Sequence, residues 1–378
     1  MGPLKNSWLD WCKSTIKTSL LALMLIVLST CLSGAWWNSG NDQPARKSQL
    51  AVGDAITDAQ AILRYALPIE NQQVRDVQAS IEDIAKQLRG KRWGSISRDI
   101  SRAAVILSTR SDKLLADVPE VDQPQAEALI SQLKDEIASI REAVEAKDRE
   151  KISMVRGIIL EEVGKLEQLM VKGFPFEVPA EYGNLPQLKG RATVEISTNK
   201  GDLTLIVDGY SAPVTAGNFV DLVNRGFYDG LEFIRAEDKF VVQTGDPAGS
   251  EVGFIDPNTG QYRAIPLEIL VRGDEQPIYG ITLEEAGIYL EPLALPFNAY
   301  GTIAMARPGN DPNGGSSQFF FFKFDTELTP PGFNLMDGRY AVFGYLVGGK
   351  NVLETIREGD IIESAQVIEG EENLVEPL

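Results

Sequence analysis

The sequence predicts two domains, an N-terminal bundle of α-helices followed by an antiparallel β-barrel that two helices cap. Three observations favour this fold class. Apolar residues recur every three or four positions between residues 54 and 172, which is typical of amphipathic helices. Beyond residue 191, short runs alternate between apolar and polar residues, the period of a half-buried strand. Residues 173–190, rich in proline and glycine, separate the two patterns and are predicted to be a linker.

Residues 1–35 have the pattern of a secretory signal. Three lysines precede an apolar run at residues 20–28, and Ser33-Gly34-Ala35 then offers a cleavage point. Two alternatives stay open: an uncleaved membrane anchor, and a lipoprotein site at Cys31. We therefore expect an exported chain, in which residues 36–53 form a linker behind the leader.

Residues 54–172 are predicted to form a bundle of four or five helices. Apolar stripes run through residues 74–88, 130–144 and 152–166, and proline or glycine interrupts the chain between them. Short links between long helices make neighbouring helices antiparallel, so the stripes are expected to meet in one core. The basic cluster Arg89, Lys91 and Arg92 is expected to be a solvated turn.

Residues 191–378 are predicted to be mainly β-strands. Residues 192–197 and 203–207 alternate on either side of Asn199-Lys200-Gly201-Asp202, which indicates a hairpin. Helices are predicted over residues 215–224 and 352–357, and further strands at 233, 240–243, 302–306, 319–322, 341–346 and 362–368. An extra segment, about 248–276, has a turn predicted at Asp256-Pro257-Asn258-Thr259-Gly260. Many strands with two covering helices favour a closed barrel with helical caps.

The composition excludes several kinds of function. A formal net charge of -18 argues against a protein that tracks the phosphates of nucleic acid. The chain has no histidine, and its two cysteines, Cys12 and Cys31, lie in the leader. No metal-ligand set and no phosphate-cradling glycine loop can be recognised, so the sequence implies no cofactor. Three late blocks instead combine aromatic and amide residues with Arg235, which predicts a reaction driven by binding and electrostatics.

Six blocks carry a resemblance to a known family. They are TNKGDLTLIV (198–207), TAGNFVDLVNRGFYDGLEFIR (215–235), VVQTGDP (241–247), GTIAMAR (301–307), SSQFFFF (316–322) and MDGRYAVFG (336–344). In this order and spacing, the region 191–378 is similar to the cyclophilin family of peptidyl-prolyl isomerases. The resemblance implies a cyclophilin-like closed antiparallel β-barrel with two capping helices. With the leader and the bundle, the chain resembles the multidomain cyclophilins of the thylakoid lumen in cyanobacteria and chloroplasts, a family implicated in photosystem II assembly.

The resemblance also implies a set of site residues. Arg235 occupies the position of the catalytic arginine, which remains charged at any workable pH. The residues implied to bind substrate are Phe240, Val241, Gln243, Ala306, Arg307, Gln318, Phe320, Leu335, Met336 and Tyr340. Tyr340, Val241, Leu335 and Arg307 stand where the family usually has histidine, methionine, tryptophan and asparagine. Because the arginine and amides are retained while the pocket wall is altered, weak catalysis is expected.

The function implied is a peptidyl-prolyl cis-trans isomerase that acts as a folding and assembly factor in the thylakoid lumen or periplasm. Its expected substrates are proline-containing proteins, in particular lumenal loops of membrane proteins, with peripheral membrane association left open. One alternative is a non-catalytic module whose groove holds proline segments while the bundle recruits partners. A third hypothesis is that the bundle regulates the isomerase domain by covering its groove, because the short linker at residues 173–190 could keep the two domains in contact.

Overall fold

The structure is a computed structural model that describes residues 55–323 and 334–377. The predicted leader, its two alternatives and the linker at 36–53 lie outside the described residues. No helix within the described ranges is long and apolar enough to cross a membrane.

The first part of the chain is helical. Its helices are α1 (Ala59–Ala66), α2 (Gln72–Arg89), α3 (Trp93–Thr109), α4 (Ser111–Leu115), α5 (Gln123–Glu145) and α6 (Arg149–Leu169). Side chains of Asp58, Asn71 and Asp148 accept hydrogen bonds from the first-turn amides of α1, α2 and α6, which fixes where these helices begin. The predicted stripes form one core, in which Ile81, Ile84 and the stripe residues of α5 and α6 are buried.

Helix α1 departs from the predicted bundle. Its Ile62 and Leu63 are buried, but they pack in an apolar cluster of the β region rather than in the bundle core. The guanidinium of Arg191 also donates a hydrogen bond to the carbonyl oxygen of Leu63. Two adjacent apolar residues in a two-turn helix do not indicate which core will receive them.

The rest of the chain is mainly β. Its strands are β1 (Gln187–Leu188), β2 (Arg191–Thr198), β3 (Gly201–Asp208), β4 (Arg235–Ala236), β5 (Val241–Thr244), β6 (Glu268–Ile269), β7 (Ile278–Tyr279), β8 (Thr302–Met305), β9 (Phe319–Phe322), β10 (Val342–Gly348), β11 (Ile362–Glu369) and β12 (Leu374–Val375). Eight of them form one antiparallel sheet in the order β11-β2-β3-β10-β8-β9-β5-β4. β1 pairs with β12, so two residues of the predicted linker belong to a strand.

The closed barrel is not confirmed, because the eight strands form a curled sheet whose outer strands, β11 and β4, do not share a continuous ladder. Between these edges the described residues show an isolated bridge, Glu232 to Ile361, with flanking hydrogen bonds such as Phe233 N to Asp360 O at 2.8 Å. The physical reason is the length of β4, whose two residues leave little backbone to pair.

Two helices cover the sheet, α7 (Pro213–Asn224) and α8 (Lys350–Thr355). Between them and the sheet lies an aromatic core, in which the rings of Phe219 and Phe319 meet edge to face with centroids 5.1 Å apart. Alternate residues of β9 face opposite sides of the sheet: Phe319 and Phe321 join this core, and Phe320 and Phe322 lie in the second cluster.

The extra segment forms part of the fold. The predicted turn is present, since Gly260 N donates to Asp256 O at 2.7 Å. Further on, the buried carboxylate of Glu268 in β6 accepts hydrogen bonds from the backbone amides of Val214 and Thr215 at 3.2 and 2.9 Å. The insertion therefore caps α7, because the first amides of a helix have no partner within the helix.

Candidate functional site

Arg235 lies on the edge strand β4, opposite Gln243 of β5. Its guanidinium carbon stands 5.5 Å from the centre of the Phe240 ring, and its side chain is 46% exposed. Its Nη2 atom and the Oε1 atom of Glu237 are 2.6 Å apart, in an ion pair that is equally open to solvent. The structure therefore places a cation beside an aromatic face, with a carboxylate already bound to it.

Two amides and a carboxylate form a chain next to the arginine. Gln243 Nε2 donates to Gln318 Oε1 at 2.8 Å, and Gln318 Nε2 donates to Asp246 Oδ1 at 2.7 Å and to Val252 O at 2.9 Å. Gln318 donates both of its amide N–H groups within the protein and Gln243 donates one, so the two amides are held in one orientation. The hydrogen-bonding capacity that remains on Gln243 is available to a substrate.

The apolar part of the site is built on β5 and β9. Val241 and Phe320 are buried at 4% and 5% exposure. The ring of Phe297 stacks on Phe320 with centroids 6.1 Å apart and planes inclined by 10°, and Tyr340 meets Phe320 edge to face at 5.4 Å. Met336 packs against the same cluster. Four of the predicted pocket residues are thus brought together, while Phe240 stays 40% exposed at the rim.

The loop that carries Met336 and Tyr340 is tied to Phe297 by a half-buried carboxylate. Asp337 Oδ1 accepts a hydrogen bond from Phe297 N at 2.8 Å. Burial raises the pKa of Asp337 to about 6, against the opposing effect of the two backbone amides that donate to it. This contact holds the stacked ring of Phe297 against the pocket floor.

The remaining predicted residues take different places. Ala306 N donates to Gln318 O at 2.9 Å, in the edge next to the amide chain. Arg307 donates twice to the carbonyl oxygen of Arg339, at 2.9 and 2.7 Å, and its guanidinium lies 5.3 Å from the centre of the Tyr340 ring. It therefore braces the pocket loop. The side chain of Leu335 is 83% exposed, and it does not join the buried apolar cluster.

Sequence reasoning missed three residues that contact the predicted ones: Glu237, Asp246 and Phe297. Glu237 could have been found, since residues two apart along an extended chain point to the same side. Asp246 belongs to the VVQTGDP block, but its partner Gln318 is 72 residues away. No local pattern marks Phe297, because its stacking partner lies on a strand that is remote in sequence.

Together these groups define a class of site. A guanidinium at the rim of a buried aromatic pocket, beside oriented amides on a sheet edge, can bind an apolar ring and polarise the amide next to it. This is the arrangement of a prolyl isomerase, in which binding and not a nucleophile lowers the barrier.

Comparison with known proteins agrees with this class. Residues 193–372 match the family described as cyclophilin type peptidyl-prolyl cis-trans isomerase, and residues 58–171 match the PsbQ-like domain of CYP38-like peptidyl-prolyl cis-trans isomerases. The chain is 61% identical over 360 residues to a protein of Synechocystis named as a thylakoid lumen peptidyl-prolyl cis-trans isomerase, with 95% of each chain covered. It is 45% identical to the chloroplastic isomerase CYP38 of Arabidopsis thaliana, over 87% of this chain and 78% of the relative. It is 32% identical to the chloroplastic CYP37 of the same plant, over 84% and 70%.

The chain therefore belongs to the cyclophilin-type peptidyl-prolyl cis-trans isomerases, and it carries an N-terminal PsbQ-like helical domain. The family and the enzyme class expected from the sequence are confirmed.

Proposed function

We propose that this isomerase works in the thylakoid lumen as a folding and assembly factor for photosynthetic membrane complexes, acting on proline-containing loops of membrane proteins. Two findings support this. The names of two relatives place them in the thylakoid lumen or the chloroplast, at 61% and 45% identity. The combination of a helical domain with an isomerase domain is common to this chain and the CYP38-like family.

The mechanism that we propose assigns the chemistry to Arg235. A peptide bond before proline resists rotation because amide resonance sets a barrier of about 18–20 kcal/mol. As the bond twists, resonance is lost and the prolyl nitrogen gains a lone pair. A guanidinium N–H that donates to this nitrogen binds the twisted amide more tightly than the planar one, so the rate rises. The observation that carries the proposal is the position of Arg235 above Phe240, beside the amides of Gln243 and Gln318.

Binding of the substrate is assigned to the surrounding residues. The proline ring would lie between Phe240 at the rim and the floor formed by Val241, Phe320 and Met336. Gln243 would bind the substrate backbone, since an amide both donates and accepts without carrying charge. Val241 and Phe320 are only 4% and 5% exposed, so little of their surface is open to a ring, which supports the expectation of weak catalysis.

We also propose that the curled sheet closes into a barrel. The bridge between Glu232 and Ile361 supports this, as do the hydrogen bonds Gly230 N to Ile362 O and Ile362 N to Leu231 O, at 2.7 and 2.9 Å. Closure would hold β4, and with it Arg235, at a fixed height on the rim.

The test is prolyl exchange in a short alanine-proline peptide, measured by NMR on the purified chain. We expect Arg235→Ala to lower the catalysed rate by about 10²-fold or more, since it removes a donor that acts mainly in the transition state. Arg357→Ala is the matched control, because Arg357 is also an exposed arginine of the isomerase domain and its guanidinium donates to Glu354 O and Ile356 O, neither of which belongs to a site residue. Equal rates for wild type and Arg235→Ala would refute the assignment. The comparisons give no support to the non-catalytic alternative.

A further inference from the structure

An open groove of ≈ 470 Å³ lies on the helical domain, between α2 and α3. Its lining includes Arg98, Arg102 and Arg110 together with Asp76 and Val105. The isomerase site is formed by other residues, so the groove has no part in the reaction proposed above. Its volume falls in the range of protein sites that bind small groups or short peptide segments.

The charge of this region is opposite to that of the protein. The whole chain carries a formal net charge of -18, yet residues 86–113 contain eight lysines and arginines against two aspartates. Like charges so close together repel each other, which costs stability in the absence of a counter-charge. The predicted solvated turn at Arg89, Lys91 and Arg92 belongs to this basic stretch of the sequence.

The three groove arginines have hydrogen-bonding capacity to spare. Arg98 donates to Ser95 Oγ at 3.1 Å, and Arg110 donates to Gln73 Oε1 at 2.8 Å. Within the described residues, no carboxylate forms an ion pair with Arg98, Arg102 or Arg110. Since each guanidinium carries five N–H donors, most of these donors face the groove or solvent.

The spacing of the arginines suggests what would fit. Arg98 and Arg102 are one helical turn apart, about 6 Å, which matches two side chains on the same side of an extended peptide, two residues apart. Arg110 follows about 12 Å further along, which corresponds to about four more residues of such a peptide. Val105 lies between them and is 53% exposed, so it offers an apolar contact within the basic row.

We propose that this groove binds an acidic, extended segment of a partner protein, with carboxylates at the first, third and seventh positions and an apolar side chain between the last two. Arginine suits this task because its planar fork binds a carboxylate through two parallel hydrogen bonds.

A protein segment fits these observations better than a lipid surface does. A helix that binds a membrane buries a row of large apolar side chains next to its basic residues. Among the described residues of α3, Val105 is the only large apolar side chain that is exposed, and Trp93 is half-buried. The binding surface is also concave, whereas a membrane is flat on this scale.

The experiment uses the whole chain and a fluorescein-labelled peptide, Glu-Ala-Glu-Ala-Val-Ala-Glu, with the peptide Gln-Ala-Gln-Ala-Val-Ala-Gln as its uncharged control. Fluorescence polarisation at low salt is expected to show binding of the acidic peptide alone, weakening as salt is added. The double variant Arg98→Gln/Arg102→Gln should bind about tenfold more weakly, because two charge-assisted contacts are lost.

The matched control is Arg141→Gln/Arg149→Gln, which removes the same charge from exposed positions outside the groove and should bind as wild type does. All four positions are exposed, so the variants should fold, and an unchanged helical circular dichroism spectrum would verify it. Equal weakening in both double variants would overturn the proposal, as would equal binding of the two peptides or no binding at about 1 mM.

Two further measurements distinguish other occupants. Binding to phosphatidylglycerol vesicles that requires Arg98 and Arg102, without binding of the acidic peptide, would assign the surface to a membrane and refute the proposal. A dimer in sedimentation that the Arg98→Gln/Arg102→Gln variant abolishes, again without peptide binding, would assign it to a second copy of this chain and refute it equally.

Discussion

The ion pair between Arg235 and Glu237 leads to a prediction about the rate. A substrate amide must compete with Glu237 for the guanidinium, because their 2.6 Å contact occupies donors on Arg235. The two side chains are 46% and 49% exposed, and ion pairs in such positions contribute about 0.2–1 kcal/mol. Replacing Glu237 by glutamine should therefore raise kcat/KM by at most about fivefold, since 1.4 kcal/mol corresponds to a factor of ten.

The assay is the same prolyl exchange, measured with and without added salt. Salt screens an exposed ion pair, so the wild-type rate should rise with ionic strength while the Glu237→Gln rate stays level. Glu161→Gln is the matched control: it breaks an exposed pair on α6, with Lys165 at 2.7 Å, and should leave the rate unchanged. A slower Glu237→Gln enzyme would refute the competition between Glu237 and the substrate, and would show instead that the carboxylate orients Arg235 for the reaction.

Two predictions concern stability. Burial raises the pKa of Glu268 from 4.5 to about 7, so between these pH values the folded state holds a proton that the unfolded chain releases. The resulting contribution to the free energy of unfolding is complete below about pH 4.5 and is lost as the pH rises through 7. The loss amounts to about 3 kcal/mol. Urea unfolding at pH 5 and pH 8 should show this loss, and Glu268→Gln, whose amide oxygen can still accept from Thr215 N, should lessen it; an unchanged pH dependence would contradict the shift. Phe297→Ala should cost about 3–5 kcal/mol, because it removes a buried ring stacked on Phe320. The exposed Tyr289→Ala is its control, and a cost of Phe297→Ala no larger than this control would contradict the packing argument.

Those parts of the fold that rest on local repetition could be predicted from the sequence. The apolar stripe at residues 74–88 became α2, and the alternation on either side of residues 199–202 became the hairpin of β2 and β3. In both cases the spacing of the apolar residues indicates the type of element, helix or strand, because one face of each element is buried. The short strands β6 and β7 were missed, since two residues carry no period.

Contacts between distant residues could not be predicted in the same way. The arginine and the two glutamines came from motif positions, but the partner of Gln318 was set by the fold, because Asp246 lies 72 residues away in the sequence. Leu335 stays a prediction: the resemblance places it in the pocket wall, and its side chain is 83% exposed.

Helix α1 contacts both the helical bundle and the β-sheet. Arg64 on α1 pairs with Glu82 of α2 at 2.9 Å, while Ile62 and Leu63 pack in the apolar cluster that also contains Phe320. Arg191 of β2 reaches the carbonyl oxygen of Leu63 and pairs with Asp208 at 2.7 Å. Helix α1 therefore contacts the bundle through a charged side chain and the sheet through its apolar side chains.

A fragment that begins at the linker would lack α1 and expose part of this cluster to water, which costs about 25 cal/mol for each Å² of apolar surface. A comparison between the whole chain and such a fragment therefore measures two changes together, the removal of the bundle and the uncovering of the cluster. Substitution of Arg64 or Glu82 in the intact chain removes the ion pair between α1 and the bundle without uncovering the cluster. It therefore tests separately how the bundle influences the isomerase site.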